Sequence, residues 1–369
     1  MKLRERDYWL GFNIFPGIGP KRFHHLLSLF GSAKKAWQAP REKLKQTLIP
    51  RKILMRFFEF RKTINFSSEI LRLEKSLIRF LIIGDKEYPE NLKHIDLPPP
   101  LIYIRGQILP EDKFSIAVIG TRKITAYGRE VTERLVSGLT AHGFTIVSGL
   151  ARGVDSVAHR VALGNKGRTI AVLGSGILNI YPPEHKVLAE KIVSLNLGAL
   201  ISELPLGAMP LRGNFPSRNR IISGLSLGVL VTEGTTVSGT KITADYCFRQ
   251  ERKLFAVPGP ITSPLSEGPA DLIKKGAKLV TKVDDILKEI EARKVKVTSQ
   301  LKTSESKKPN FENKDEEEIF QLLLFGSKHI DEIVKGTKLT SSQVLSHLTA
   351  MELQGMVKNI GQGNYILAL

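Results

Sequence analysis

Three guanidinium groups set around one phenyl ring are the densest chemistry in the 369-residue sequence: Arg212, Arg218 and Arg220 flank Phe215 in the stretch PLRGNFPSRNRIISGLS, residues 210–226. Asn214 and Asn219 add amides to the same stretch. Guanidinium charge neutralises a phosphodiester backbone, and a phenyl ring offers a face to a base that no partner strand covers, so this composition suits single-stranded nucleic acid. The competing reading is internal: Phe215 caps the core while the arginines pair with Glu203 or Glu233. It suits one or two of the arginines better than all three.

A second locus is SIAVIGTRKITAYG, residues 115–128. Residues 115–120 are too short and too continuously apolar for an amphipathic helix, which predicts a strand buried on both faces of a parallel sheet. Gly120 ends it, Thr121 and Arg122 make the corner, and Val131, Leu135 and Leu139 then recur at helical spacing over 126–141. The first amides of that helix would face an anion above the strand ends, and the Arg122 fork would favour phosphate. A doubly wound sheet also needs a glycine at such a corner beside a merely solvated arginine, and both readings stay open here.

The elements that must position these groups follow from regular alternation. Short apolar runs at 115–120, 145–149, 169–174, 199–203, 228–233, 254–258 and 278–281, with helical patterns between them, predict a parallel, doubly wound α/β sheet. Ligands of such sheets sit at the carboxyl ends of the strands. Those ends carry Gly120, Thr121 and Arg122, then Gly149 and Arg152 in SGLARGVD, and Gly176 in LGSG. Ser238, Gly239 and Thr240 close TEGTTVSGT, Lys241 follows, and VPGP comes last. Five strand ends rich in small residues predict an extended phosphate-binding groove. The GxGxxG fingerprint and GxxxxGK[ST] are both absent, which argues against nicotinamide, flavin or nucleoside triphosphate chemistry, and no cofactor is expected.

Charge agrees with a polyanionic partner. The net charge is +19, and residues 1–65 hold 15 Lys and Arg against 4 Asp and Glu, whereas residues 315–369 hold 4 against 7. Cys247 is the one cysteine, so internal disulfides and a multi-cysteine metal site are excluded and no metal is expected. MKLRERDYWLGF lacks the apolar core of a signal peptide and no run of about 18 apolar residues occurs, which predicts a soluble cytoplasmic protein without membrane contact.

Residues 1–65 read as a small helical domain. In FPGIGPKRFHHLLSLF, residues 15–30, a Gly-Ile-Gly turn precedes a helix carrying Lys21 and Arg22; such turns contact phosphates in helix-hairpin-helix modules, and equally serve as plain interhelical turns. His24 and His25 lack further ligand groups and read as packing or surface residues. Residues 66–291 form the sheet domain, led in by a strand at 78–83 and an extended strap at 89–100 that includes LPPPL. Residues 292–314 are polar and Lys-rich and read as a flexible linker. Residues 315–369 follow as a winged helix: a helix through Leu324, helices at 329–334 and 341–354, a turn at 361–363 and a strand at 365–367. Its third helix, TSSQVLSHLTAMELQ, has no Lys or Arg, so the domain is expected to bind protein, its own dimer partner or another factor, rather than duplex DNA.

Taken in order, GTR, SGLARGVDSVAH, LGSGILNIYPPEH, ISELPLG, NFPSRNRIISGLS, SGTKITADYC and FAVPGP resemble the DNA-processing protein A (DprA/Smf) family of bacteria, strongly over residues 80–290 and more loosely in the flanking domains. The resemblance implies an extended Rossmann-like fold with a sterile-alpha-motif-like or helix-hairpin-helix-like N-terminal domain and a C-terminal winged helix. It also implies a homodimeric cytoplasmic protein of natural transformation that binds single-stranded DNA and loads the RecA recombinase without catalytic turnover. Carried over residue by residue, Arg122 is the family's DNA-contacting arginine, Phe215 its stacking phenylalanine and Arg212 the basic residue three positions earlier; many relatives have Lys there, so the contact geometry differs. The alternative is an enzyme, a nucleoside monophosphate phosphoribohydrolase of the lysine-decarboxylase-like type, which Glu233, Gly234 and Thr235 faintly resemble, although the paired glycines of its PGGxGT loop are missing.

Overall fold

Six helices come first: α1 (Glu5–Ile14), α2 (Pro20–Phe30), α3 (Ala33–Gln38), α4 (Arg41–Lys45), α5 (Arg51–Thr63) and α6 (Phe66–Lys75). The computed structural model describes residues 3–237, 239–298, 313–323, 328–337, 339–354, 356–361 and 363–367, so Ser238, Leu324, Gln362 and the linker positions 299–312 lie outside the described residues. An aromatic core holds the six helices together: Phe12 stacks on Phe57 at 5.2 Å between ring centroids, and Trp37 meets both edge-on at 5.1 Å. Gly11 lets Trp37 and Phe66 close on α1, since a Cβ there would lie 2.8 Å from either ring.

The chain divides into two compact units, Met1–Ser299 and Gln300–Leu369. Within the first unit the N-terminal helices pack on the sheet. Leu10 packs with Leu73, Ile78, Leu101 and Tyr103, and the Tyr103 hydroxyl donates to Asn13 Oδ1 at 2.8 Å.

The sheet has nine strands, β1 (Ile78–Ile82), β2 (Leu101–Gly106), β3 (Ser115–Ile119), β4 (Thr145–Ser148), β5 (Thr169–Val172), β6 (Gly198–Ser202), β7 (Gly228–Val231), β8 (Lys253–Ala256) and β9 (Lys278–Leu279), in spatial order β1-β2-β6-β5-β4-β3-β7-β8-β9. From β6 to β9 all neighbours are parallel, as expected; β1 with β2 and β2 with β6 are antiparallel. β2 had no counterpart among the expected strands. It emerges from the proline strap, whose carbonyls still accept although its nitrogens cannot donate: the Tyr88 hydroxyl binds Pro99 O at 2.7 Å and Ile83 N binds Pro100 O at 3.0 Å.

Helices connect these strands: α7 (Glu90–Lys93), α8 (Ala126–Ala141), α9 (Val154–Gly164), α10 (Lys186–Ser194), α11 (Asn214–Leu225), α12 (Gly239–Arg249), α13 (Glu267–Lys274) and α14 (Val283–Thr298). The last carries helical backbone into 292–298, where linker was expected. Side chains alternate across the sheet with a period of two. Ala117 and Ile119 join Ile221, Ile222 and Ala244 in one core, while Ile116 and Val118 join Leu135, Val136 and Ala158 in the other. Both faces are covered, which explains why the strands read as unbroken apolar runs. β3 has β4 on one side and β7 on the other, so the connections leave in opposite directions there and open a crevice above the strand ends.

The second unit, described by itself, holds α15 (Lys314–Leu323), β10 (Lys328–His329), α16 (Ile330–Gly336), α17 (Ser341–Leu353), β11 (Val357–Gly361) and β12 (Asn364–Leu367), with strand order β10-β12-β11 around Ile319, Leu323, Ile333, Leu348 and Met351. This is the expected winged helix. Among the described residues no helix is long and apolar enough to cross a membrane.

His159 of α9 is fully buried, with Nδ1 2.7 Å from Thr169 Oγ1 and Nε2 without a partner. Burial, aided by the nearby His185, Arg218 and Arg160, pushes its pKa down to about 3. The unfolded chain therefore takes up a proton near pH 6.5 that the native fold refuses until about pH 3, so stability is lost as pH falls through this window. Urea unfolding of the wild type should lose about 2 kcal/mol between pH 7 and 5 that His159→Gln does not lose. Identical losses would contradict a neutral buried imidazole.

Candidate nucleic-acid interface

The corner after β3 is built by close approach. A Cβ on Gly120 would lie 2.4 Å from Val154 and 2.9 Å from Glu233 O, and one on Gly153, at φ +73°, would lie 2.1 Å from Thr121 O. Only glycine lets these loops interlock, and two backbone bonds then clamp them: Thr121 N donates to Glu233 O at 2.8 Å and Val154 N to Thr121 O at 3.2 Å. Arg122 and Lys123 stand exposed at the tip.

The N-terminus of α8 is already occupied. Thr125 caps it, accepting from Gly128 N at 3.0 Å, and the buried Glu233 carboxylate accepts from Thr125 N at 3.0 Å and from the Thr125 hydroxyl. A Cβ on Gly128 would sit 2.0 Å from Glu233 Oε2, so this glycine admits the carboxylate. An internal carboxylate thus stands at the helix start where an external anion was expected, favoured by the same helix dipole. At the tip of the corner the exposed Arg122 side chain is open to an outside phosphate.

Phe215 lies in the first turn of α11 and is half-buried. A Cβ on Gly174 would come within 2.7 Å of its ring, so the ring lies on the loop after β5. Tyr181 packs beside it at 5.6 Å between centroids, and the guanidinium carbons of Arg122 and Arg218 lie 5.8 Å and 6.0 Å from its centre. Arg122 and Phe215, far apart in sequence, are thus brought together. Tyr181, 39% exposed, completes the cluster and was missed. The only signal for it was an aromatic residue in the loop that follows LGSG.

Two of the three arginines face inward, and their assignment as nucleic-acid contacts is corrected. Arg218 is 5% exposed; its Nη1 donates to Gly149 O at 2.7 Å and to Val172 O, and Nε donates to Asn219 Oδ1 at 3.2 Å. Burial lowers its pKa to about 10, opposed by the attraction of Asp155, so it stays charged at neutral pH. Asp155 in turn accepts from Gly149 N at 3.1 Å and Ala151 N at 3.3 Å, and burial holds its carboxyl above the usual range. Arg220 is buried against Glu203, the internal pairing foreseen for one arginine. Gly149 serves the fold by making room for Arg218, whose Nη2 would lie 2.6 Å from a Cβ there. Gly176 is buried too, closed over by the Pro205 and Leu206 carbonyls 2.2 Å from its Cβ position.

The remaining expected residues stay near the surface. Arg212, Gly239 and Lys241 are exposed, and Asn219 reaches from α11 to Gly239 O at 3.4 Å. Asn214 donates to Met209 O at 3.3 Å. Thr240 is buried and Arg152 is an exposed partner of Glu184. At the Gly-Ile-Gly turn Lys21 is exposed, while Arg22 Nη1 donates to Gly17 O at 2.6 Å.

These assignments separate by stability. Arg218→Met leaves Asp155 and two carbonyls without their cation and should cost about 3–5 kcal/mol, whereas Arg122→Ala should stay within about 0.5 kcal/mol. Urea unfolding of both variants checks this, and equal stabilities would refute the inward role of Arg218.

Comparison with known proteins assigns the family and the fold. A family model described as DNA recombination-mediator protein A matches residues 79–291, and one described as the DprA winged helix domain matches residues 304–363. Protein Smf of Escherichia coli (strain K12) is 42% identical over 249 residues, 67% of this chain and 66% of that protein. The DNA processing protein DprA of Bacillus subtilis is 41% identical over 222 residues, 60% of this chain and 74% of that protein. The crystal structure of DNA processing protein A from Streptococcus pneumoniae covers 78% of this chain and 99% of its own at 34% identity, with a TM-score of 0.67. A structure of DNA processing protein A from Helicobacter pylori, described by its single-stranded DNA binding mode, covers 58% of this chain and 96% of its own at 28% identity and TM-score 0.52. With more than half its length matched by the family model and relatives of more than 40% identity, the chain belongs to the DNA recombination-mediator protein A (DprA/Smf) family.

Proposed function

We propose that the protein is a recombination mediator that holds single-stranded DNA along its strand-end face, with phosphates at Arg122 and Arg212 and a base on Phe215 and Tyr181. The observation that carries this reading is the exposed cation beside a half-buried ring: Arg122 lies 5.8 Å from the Phe215 centroid. Charge and a π face next to each other suit an unpaired strand better than a duplex, whose bases are covered. Lys123 and Lys241 extend the cationic surface. The Helicobacter relative described by its single-stranded DNA binding supports the same class of ligand.

In this reading the protein acts as a homodimer in the cytoplasm, delivers the strand to the RecA recombinase and performs no turnover. Two grooves on one strand gain from effective concentration, which is the physical advantage of dimerisation. The winged helix takes a protein partner: α17 carries no Lys or Arg and exposes Leu345 and Leu353. The hydrolase alternative is disfavoured because Glu233, its candidate catalytic carboxylate, is 3% exposed and bound to Thr125.

Fluorescence anisotropy of labelled oligothymidine and a duplex of equal length, across a salt series, tests the proposal. The single strand should bind preferentially, with affinity falling steeply as salt rises. Arg122→Ala should weaken it by about 1–3 kcal/mol through loss of a charge-assisted contact, and Phe215→Ala by about as much through lost stacking. Wild-type affinity in both folded variants would overturn the assignment.

A further inference from the structure

Between α11, the loop that follows β6 and the Gly-Ile-Gly turn lies a cavity of about 840 Å³. The cavity borders the start of α11, the same stretch that carries Phe215. Asn214, Ser217 and Arg220, at spacings of three, line the cavity, while Phe215 and Arg218 face the strand ends. Trp9, half-buried, supplies the accessible aromatic surface, backed by the buried Phe12, Phe15 and Phe23. Lys21, Arg22 and Arg249 line it with positive charge, against Asp96 and the already paired Glu203. Two further observations mark a site that wants a ligand. Gly19 caps α2 without a side chain and Pro20 begins it, which leaves the first amides of an 11-residue helix unsatisfied beside the cavity. Arg220 is 8% exposed and its Nη1 has no hydrogen-bond partner.

We propose that this cavity binds a nucleotide, its base against the aromatic surface around Trp9 and its phosphate on Lys21, Arg249 and the first turn of α2. An aromatic floor without cations would suit any apolar ligand, and cations without the floor would suit any anion; together they select a ligand with a flat ring and a phosphate. The source is the strand proposed to cross Phe215. A strand leaving that ring at the start of α11 needs only to round a helix about 10 Å across to enter the cavity. The inference rests on the proposed single-stranded DNA groove and adds a second base site to it. It also gives the basic N-terminal helices a task on the same ligand.

The test follows Trp9 fluorescence and oligothymidine anisotropy with the full-length protein. Arg249→Glu and Ser217→Phe change exposed positions on α12 and α11, one reversing charge and one filling space, and Trp9→Phe identifies the signal. A long oligothymidine should quench Trp9, and both cavity variants should lose the quench and roughly tenfold in affinity. A trinucleotide, which spans Phe215 alone, should bind them as it binds the wild type, whereas Phe215→Ala should weaken both ligands. Quenching by thymidine monophosphate without oligothymidine binding would keep the nucleotide site and remove the strand as its source. A long oligothymidine that binds wild type and both cavity variants equally, leaving Trp9 unchanged, would overturn the cavity and spare the groove.

Discussion

The buried guanidinium of Arg218 is the interaction on which the strand-end face depends. It binds the carbonyls that end β4 and β5, sits in the field of Asp155, and belongs to the helix that carries Phe215. A cation in this position is expensive to desolvate, and the surrounding acceptors offset that cost only if all of them keep their places. Gly149 and Gly174 have no side chains, so the helix can come close enough for Arg218 to reach the carbonyls and for Phe215 to lie on the loop. The ring is therefore held by the same network that closes the sheet. A rigid ring loses little entropy when a base stacks on it, which is what a sequence-tolerant site needs.

A second constraint decides where an outside phosphate can go. Glu233 supplies α8 with its own anion, and Asp155 does the same for the loop that enters α9. The amides of Thr125, Gly149 and Ala151 are thereby committed to the fold. Recognition charge is left to side chains at loop tips, chiefly Arg122, which can follow a flexible backbone where fixed amides cannot. Long side chains in solvent also feel salt strongly, so affinity and ionic strength are coupled through this division of labour.

Much of the fold was legible because it rests on periodicity. Fully buried parallel strands leave unbroken apolar runs, which marked β3 to β7, and β8 but for its partly buried first residue, whereas β9, marked by the run at 278–281, is exposed at Lys278 and Leu279. β2 was hidden because the prolines before it signal a strap, and only the partner strands β1 and β6 show that pairing resumes at Leu101. The site was legible in its outward members. Arg122 and Phe215 stood out by type and context, but the direction of Arg218 and Arg220 did not follow from spacing, since burial depends on Gly149, Val172 and Glu203, which are remote in sequence. Tyr181 escaped for the same reason: its contact with Phe215 spans loops after different strands.

The most direct measurement of the central claim is photochemical. A halogenated-uracil oligonucleotide bound to the full-length protein and irradiated should attach to the aromatic and cationic groups nearest its bases, and mass spectrometry of the digest identifies them. Adducts on the peptides that carry Phe215 and Tyr181, competed away by unlabelled single strand, are the predicted result. Adducts confined to the winged helix, or absent from both of those peptides, would contradict a strand held across the ends of the sheet.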